Sequence, residues 1–345
     1  MAPNPADAPL TREGRQMGKV WSRYGSAQLD RYLIQEVEHP ALNAQSVLMR
    51  SFLMDRLFPG RFHDLIEREL YFSAVASFGL LALREGWFSQ LRDALLSAGE
   101  DDIPGPDPAL PGFLTVGFRP APGFSVTGLM DQLLECSRQG FDQFKSPFED
   151  EIRQALASST AGEGGTPDRR PMVLELACGS ANDFRFWHQF GFADRIDYCG
   201  VDVCPENIAN ARTRFPQHDF RVADACALPM ADASADVVVA FDLYEHLSEQ
   251  ALEQAIAETA RVSRDELWLS FFNAAPVSAH EFRPVDGYHW NLLSLDLLVR
   301  ELALHDFQSQ VVDVAAELSA RFPGYRHHNE QAFVLLAGRL DPDQG

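Results

Sequence analysis

Val173-Leu174-Glu175-Leu176-Ala177-Cys178-Gly179-Ser180-Ala181 is the stretch that decides how this chain folds. An apolar run carrying one carboxylate passes into small residues, and an aromatic-rich helical pattern begins at Asp183. That order predicts a strand, a tight turn and a helix start. In a parallel α/β sheet, ligands bind where strand ends meet such turns, and small residues let the backbone approach them. Two further acidic strand ends follow, Gly200-Val201-Asp202 and Val222-Ala223-Asp224. Three carboxylates at consecutive strand ends suit a ligand rich in hydroxyl and amino groups and repel a bare phosphate. The three glycines of a dinucleotide fingerprint are missing, since only Gly179 is present.

Downstream, strands are predicted over 172–177, 196–202, 219–223, 235–241, 266–272, 307–314 and 331–337. Helices are predicted near 183–190, 205–214, 248–262 and 294–304, with Pro205 at a helix start, where its missing N–H costs little. Alternating units of this kind predict an α/β fold with a doubly wound, seven-stranded, mostly parallel sheet. The last two strands, with no clear helix between them, suit an antiparallel hairpin at the edge. Upstream, residues 26–98 and 125–158 carry helical apolar spacing, and the proline-rich segment 99–123 interrupts it. The expected organisation is a disordered tail over 1–18, a helical cap or substrate domain over 19–158, a Gly/Ser/Thr-rich linker over 159–171 and the α/β domain over 172–345.

A formal net charge of −21 argues against nucleic acid and anionic membrane as partners. Lysine occurs only at Lys19 and Lys145, and the arginines are scattered. No apolar run reaches the ~20 residues of a membrane span, and residues 1–9 lack the pattern of a secretion signal. Five cysteines without a C-x-x-C pair suit buried reduced thiols in a cytoplasmic protein, and no metal site is expected.

The stretch 173–181 resembles the first motif of class I S-adenosylmethionine-dependent methyltransferases, Glu/Asp-x-Gly-x-Gly-x-Gly, with Ala177 and Ala181 in place of the outer glycines. Ala223-Asp224-Ala225-x-x-Leu228-Pro229, followed by Asp236-Val237-Val238, resembles the ubiquinone-type small-molecule members. The resemblance covers about 170–340 and leaves the first 150 residues unassigned. It implies S-adenosyl-L-methionine as cofactor, with Glu175, Ala177, Gly179, Asp202, Val203, Asp224, Ala225 and Phe241 around it. By that resemblance Glu175 orients the methionine amino group and Asp224 meets the adenine amino group. Asp202 can accept both ribose hydroxyls, and such charge-assisted bonds are strong and selective. The alternative to this favoured reading is that these carboxylates are plain caps or turn starters.

Glu245-His246-Leu247 resembles a tripeptide at the mouth between cofactor and acceptor in that family. His246 is therefore a candidate base, or else a cap for the next helix. The irregular segment 280–291 is dense in polar and aromatic side chains. His289 is the slightly favoured base there, and His280, Phe282, Tyr288 and Trp290, with Tyr244, are candidate acceptor contacts. Phe141 and Phe144 are candidates to lid the site, or else an ordinary core stripe. The expected activity is methyl transfer to a small-molecule acceptor at oxygen, nitrogen or carbon, as in specialised metabolism, with a homodimer through the helical domain. The alternatives are another chemistry of the same sulfonium cofactor, and a non-catalytic member whose helical domain binds a partner.

Overall fold

A computed structural model describes residues 7–31, 44–57, 60, 63–97, 110–116, 125–139, 146–158 and 169–340. The central sheet runs β1 (Met172–Leu176), β2 (Asp197–Asp202), β3 (Asp219–Val222), β4 (Ala235–Phe241), β5 (Ser263–Phe271), β10 (Phe307–Asp313) and β11 (Phe333–Arg339). Their spatial order is β10-β11-β5-β4-β1-β2-β3. The first five strands are mutually parallel, and β11 is antiparallel to both of its neighbours.

Side-chain chemistry explains this order. β11 opens Phe333-Val334-Leu335-Leu336-Ala337, apolar on both faces, as an inner strand must be. β10 carries the polar run Gln308-Ser309-Gln310 between Phe307 and Val311, with Gln308 and Gln310 exposed, as suits an edge. Within β4, Val237 and Val239 face one side, while Val238 and Ala240 face the other. The second face is covered by α11 (Glu249–Val262) and α12 (Leu295–Leu304).

The first face is covered by α9 (Asn182–Gln189) and by the upstream helices α3 (Ala44–Leu57), α4 (His63–Glu85), α5 (Phe88–Ser97), α7 (Val126–Gln139) and α8 (Glu149–Ser158). Their Leu48, Phe72, Leu133, Ile152 and Leu156 lie in one apolar core with Val173, Trp268 and Val334. The upstream helices thus share their core with the sheet.

Three expectations change. Residues 12–18, read as part of a disordered tail, belong to α1 (Arg12–Ser22), capped by the Thr11 side chain accepting from Gly14 N–H. Val314–Arg321 is a helix, α13, capped by Asp313, where no clear helix was read between the last strands. Its two turns are too short for a strong periodic signal. Within the proline-rich segment, Gly112–Val116 forms the short helix α6. Besides the single 3-10 turns Ala193–Arg195 and Tyr244–His246, two more α-helices and four two-residue strands lie elsewhere in the described residues. They are α2 (Gly25–Arg31), α10 (Pro205–Arg214), β6 (Ala274–Ala275), β7 (Pro284–Val285), β8 (Tyr288–His289) and β9 (Leu293–Ser294). Most of the expected linker, 159–168, lies outside the described residues. Among the described residues, no helix is long and apolar enough to cross a membrane.

Candidate active site

The turn after β1 is built from left-handed residues. Ala177, Gly179 and Ala181 have φ of 54°, 56° and 63°. Glycine reaches this region freely, whereas a residue with a Cβ pays about 1–2 kcal/mol. The two alanines therefore hold the backbone that glycine would adopt at the same positions. The turn is tied down by Cys178 N–H donating to Val201 O at 3.0 Å and Ala181 N–H donating to Cys178 O at 2.9 Å. A Cβ added at Gly179 would meet nothing within 4 Å, so the turn leaves open space above its backbone.

Register places the carboxylates around that space. Leu176 pairs with Val201, so Asp202 lies beside the turn. Asp202 accepts from Gly179 N–H at 3.0 Å and from Cys204 N–H at 2.7 Å. Burial raises its pKa against these bonds. Glu175 is 2% exposed and accepts from Tyr198 Oη at 2.6 Å. Its pKa stands well above the carboxylate range, chiefly through burial and then through Asp183. Asp224, also buried, accepts from Cys226 N–H at 2.9 Å and from both the N–H (3.1 Å) and the hydroxyl of Thr11. Val203 and Ala225 flank these carboxylates, half-buried, and Phe241 closes β4 with its ring 6.4 Å from that of Trp187.

A second group of side chains gathers beyond β4. His246 is half-buried, and its Nδ1 lies 3.0 Å from the backbone carbonyl of His289. Only an N–H can face a carbonyl, so Nδ1 carries the proton and Nε2 keeps its lone pair. Burial lowers the His246 pKa from 6.5, outweighing this bond, and keeps the ring neutral near pH 7. Around it stand the rings of Phe272 (5.4 Å), Tyr288 (5.6 Å), Trp290 (5.6 Å) and Trp21 (6.3 Å).

Buried polar groups lock this arrangement. Glu245 accepts from Phe272 N–H at 2.7 Å and Asn273 N–H at 3.3 Å, and burial, then Asp242, pushes its pKa up to about 8. Asn291, fully buried, donates from Nδ2 to Leu247 O at 2.7 Å and accepts at Oδ1 from Arg283 N–H at 3.1 Å.

Several expected residues sit elsewhere. The Tyr244 ring is fully buried in the core, with its hydroxyl 2.9 Å from Thr259 Oγ1, so it does not reach the mouth. His280 spends its Nδ1 lone pair on Ser294 N–H at 2.9 Å, which leaves its other nitrogen a donor and removes it as a base. Phe282 is half-buried and packs on the core beneath the loop. His289 contributes its backbone carbonyl to His246. Phe141 and Phe144 lie outside the described residues. Trp21, Phe272 and Glu245 were not singled out as acceptor-side residues. Glu245 was legible in its tripeptide, whereas Trp21 and Phe272 become neighbours of His246 only through folding. Among the described residues, no group of three or more His, Cys, Asp or Glu is arranged to hold a metal.

Comparison with known proteins finds similarity to S-adenosylmethionine-dependent methyltransferases. The family profile of a methyltransferase domain matches residues 173–266. A probable S-adenosylmethionine-dependent methyltransferase of Mycobacterium tuberculosis is 36% identical over 151 residues, which cover 41% of this chain and 49% of the relative. One of Mycolicibacterium smegmatis is 43% identical over 159 residues, covering 46% and 56%. The chain thus spans about half the length of these curated relatives. Among solved structures, the 1,6-didemethyltoxoflavin-N1-methyltransferase of Burkholderia thailandensis aligns with a TM-score of 0.38 at 16% identity, over 61% of this chain and 87% of that one. At that score the likeness carries no weight on activity.

Proposed function

We propose, from the premise that residues 173–266 form a class I S-adenosylmethionine-dependent methyltransferase domain, that this protein transfers a methyl group to a small-molecule acceptor. The observation that carries the reading is the left-handed turn 177–181, with Glu175 and Asp202 buried beside its open space. The turn is shaped for close backbone approach by a ligand. The carboxylates suit that ligand's amino group and vicinal hydroxyls. When bound, S-adenosylmethionine supplies an activated methyl group on a sulfonium.

The chain's own residues then do three things. Glu175, Asp202 and Asp224 hold the cofactor's amino, ribose and adenine groups. Asp202 orients the turn through Gly179 N–H, so ribose recognition and turn shape are joined. His246 takes the acceptor's proton at Nε2 while its Nδ1 proton rests on His289 O. The surrounding rings exclude water, and the rest of catalysis is alignment.

A cytoplasmic setting and a role in specialised metabolism complete the reading, in keeping with five free cysteines. Calorimetry on the full chain with S-adenosylmethionine and S-adenosylhomocysteine tests it. Both should bind, and Asp202→Ala should weaken both. Unchanged affinity in that variant removes Asp202 from the site, and tight NAD binding instead refutes the reading.

A further inference from the structure

Helix α1 reaches both halves of the site. Its start is pinned on the carboxylate side by the two Thr11 donors to Asp224. Gly14 passes so close that a Cβ there would stand 2.1 Å from Asp224 Oδ2, and one at Gly18 would stand 2.7 Å from Val203 O. Glu13 accepts from Ser248 N–H at 3.1 Å and Ser248 Oγ at 2.8 Å, at the start of α11. Ser22, at the far end of α1, donates to Glu206 at 2.5 Å. These anchors fix the position of the last turn. There Trp21 lies 6.3 Å from the His246 ring and 6.1 Å from Tyr288. Phe272 and Trp290 complete the group, 4.8 Å apart.

Resting on the methyl-transfer reading above, we infer that Trp21 determines acceptor specificity. With Phe272, Tyr288 and Trp290 it walls a slot for a flat aromatic ring whose hydroxyl points at His246. Ring pairs attract best in tilted or offset arrangements at 4.5–7 Å, which a flat ring can join and a puckered saturated one cannot. The ring pairs named above stand 4.8–6.3 Å apart.

An aromatic cage can also hold a quaternary ammonium, but two observations favour the hydroxyl. The free Nε2 lone pair of His246 needs a proton to accept, and a quaternary ammonium has none to give. The flanking carboxylates are engaged: Glu281 with Arg283, Asp286 with Arg23, and Glu13 with Ser248.

The test uses the full chain saturated with S-adenosylhomocysteine and three probes: 2-naphthol, trans-2-decalol and tetramethylammonium, followed by calorimetry. The expected result is that 2-naphthol binds about tenfold or more tightly than either other probe. Trp21→Ala should then weaken 2-naphthol about tenfold, while Trp21→Phe stays within about threefold of the parent. S-adenosylhomocysteine affinity should hold within about twofold in both variants, because Trp21 packs beside the rings of His246 and Tyr288 on the acceptor side. Equal binding of 2-naphthol and 2-decalol overturns the inference. So does tetramethylammonium as the preferred probe, or a Trp21→Ala variant with parental 2-naphthol affinity. If the parent fails to bind S-adenosylhomocysteine, the methyl-transfer reading has failed instead, and the two failures are told apart.

Discussion

The two halves of the site are built in different ways. The carboxylate half comes from the ends of β1, β2 and the segment after β3, which are adjacent in the sheet and close in sequence. Its geometry is set by strand register and, at Asp202 and Asp224, by backbone N–H groups two residues on, those of Cys204 and Cys226. The aromatic half collects Trp21, His246, Phe272, Tyr288 and Trp290 from α1, the turn after β4, the end of β5 and the loop beyond it. It is held by buried side chains, Glu245 and Asn291, that bond to backbone across those elements. A site made by register tolerates changes in surrounding side chains. A site made by convergence depends on a few buried polar groups whose partners are stranded when they are removed.

The largest expected effect falls on the aromatic half. His246→Gln should lower turnover about 10²–10⁴-fold, with whichever acceptor drives release of S-adenosylhomocysteine, and should leave cofactor affinity intact. His289→Gln should do far less, because its backbone carbonyl survives the change. The base must be neutral to accept a proton, and burial lowers its pKa. The rate should therefore rise with pH through a point below 6.5 and then level, and His246→Gln should abolish that rise. Equal losses in both variants would break the assignment of base and orienter.

Next comes the carboxylate half. Asp202→Ala should cost about 1.5–3 kcal/mol of affinity for S-adenosylmethionine and its demethylated product, read by calorimetry. The acceptor probes should be affected only through the cofactor. A variant that binds cofactor normally but loses 2-naphthol would reverse the roles assigned to the two halves.

Asn291→Ala sharpens the contrast. It removes two buried hydrogen bonds and strands Leu247 O and Arg283 N–H, at about 2 kcal/mol of stability. Denaturant titration should show that loss, and acceptor KM should rise while cofactor affinity stays level. Parental stability would mean that the loop is held by other contacts.

The smallest effect is expected at Ala177. Glycine would relieve a left-handed cost of about 1–2 kcal/mol and add about 0.4–1 kcal/mol of unfolded-state entropy. Ala177→Gly should therefore stabilise by roughly 0.5 kcal/mol, a rise of a degree or two in Tm. A fall in Tm would show that the half-buried Ala177 methyl contributes more packing than its backbone costs.

The carboxylate half was legible before folding because local pattern encodes it. An apolar run, an acid and a small-residue turn lie within nine consecutive residues, 173–181, and two further runs end in an acid. The inner position of β11 was not legible in the chain, where only an antiparallel hairpin at the edge is expected; pairing with β5 decides it. Trp21 carried no such signal, since it lies between the expected tail over 1–18 and the helical apolar spacing that begins at 26. α1 is instead ordered by Thr11, Glu13 and Ser22, whose partners Asp224, Ser248 and Glu206 lie about two hundred residues downstream.

The chain by itself determined the α/β class, the strand ends and the three acids, because strand, turn and helix preferences act over a few residues. Tertiary structure alone decided which histidine keeps a free lone pair. It took Tyr244 into the core and set His280 to hold Ser294. It brought Trp21 to the mouth. Those outcomes depend on which distant groups share a buried space, and burial and hydrogen-bond partnership are properties of the packed molecule, not of any window of its sequence.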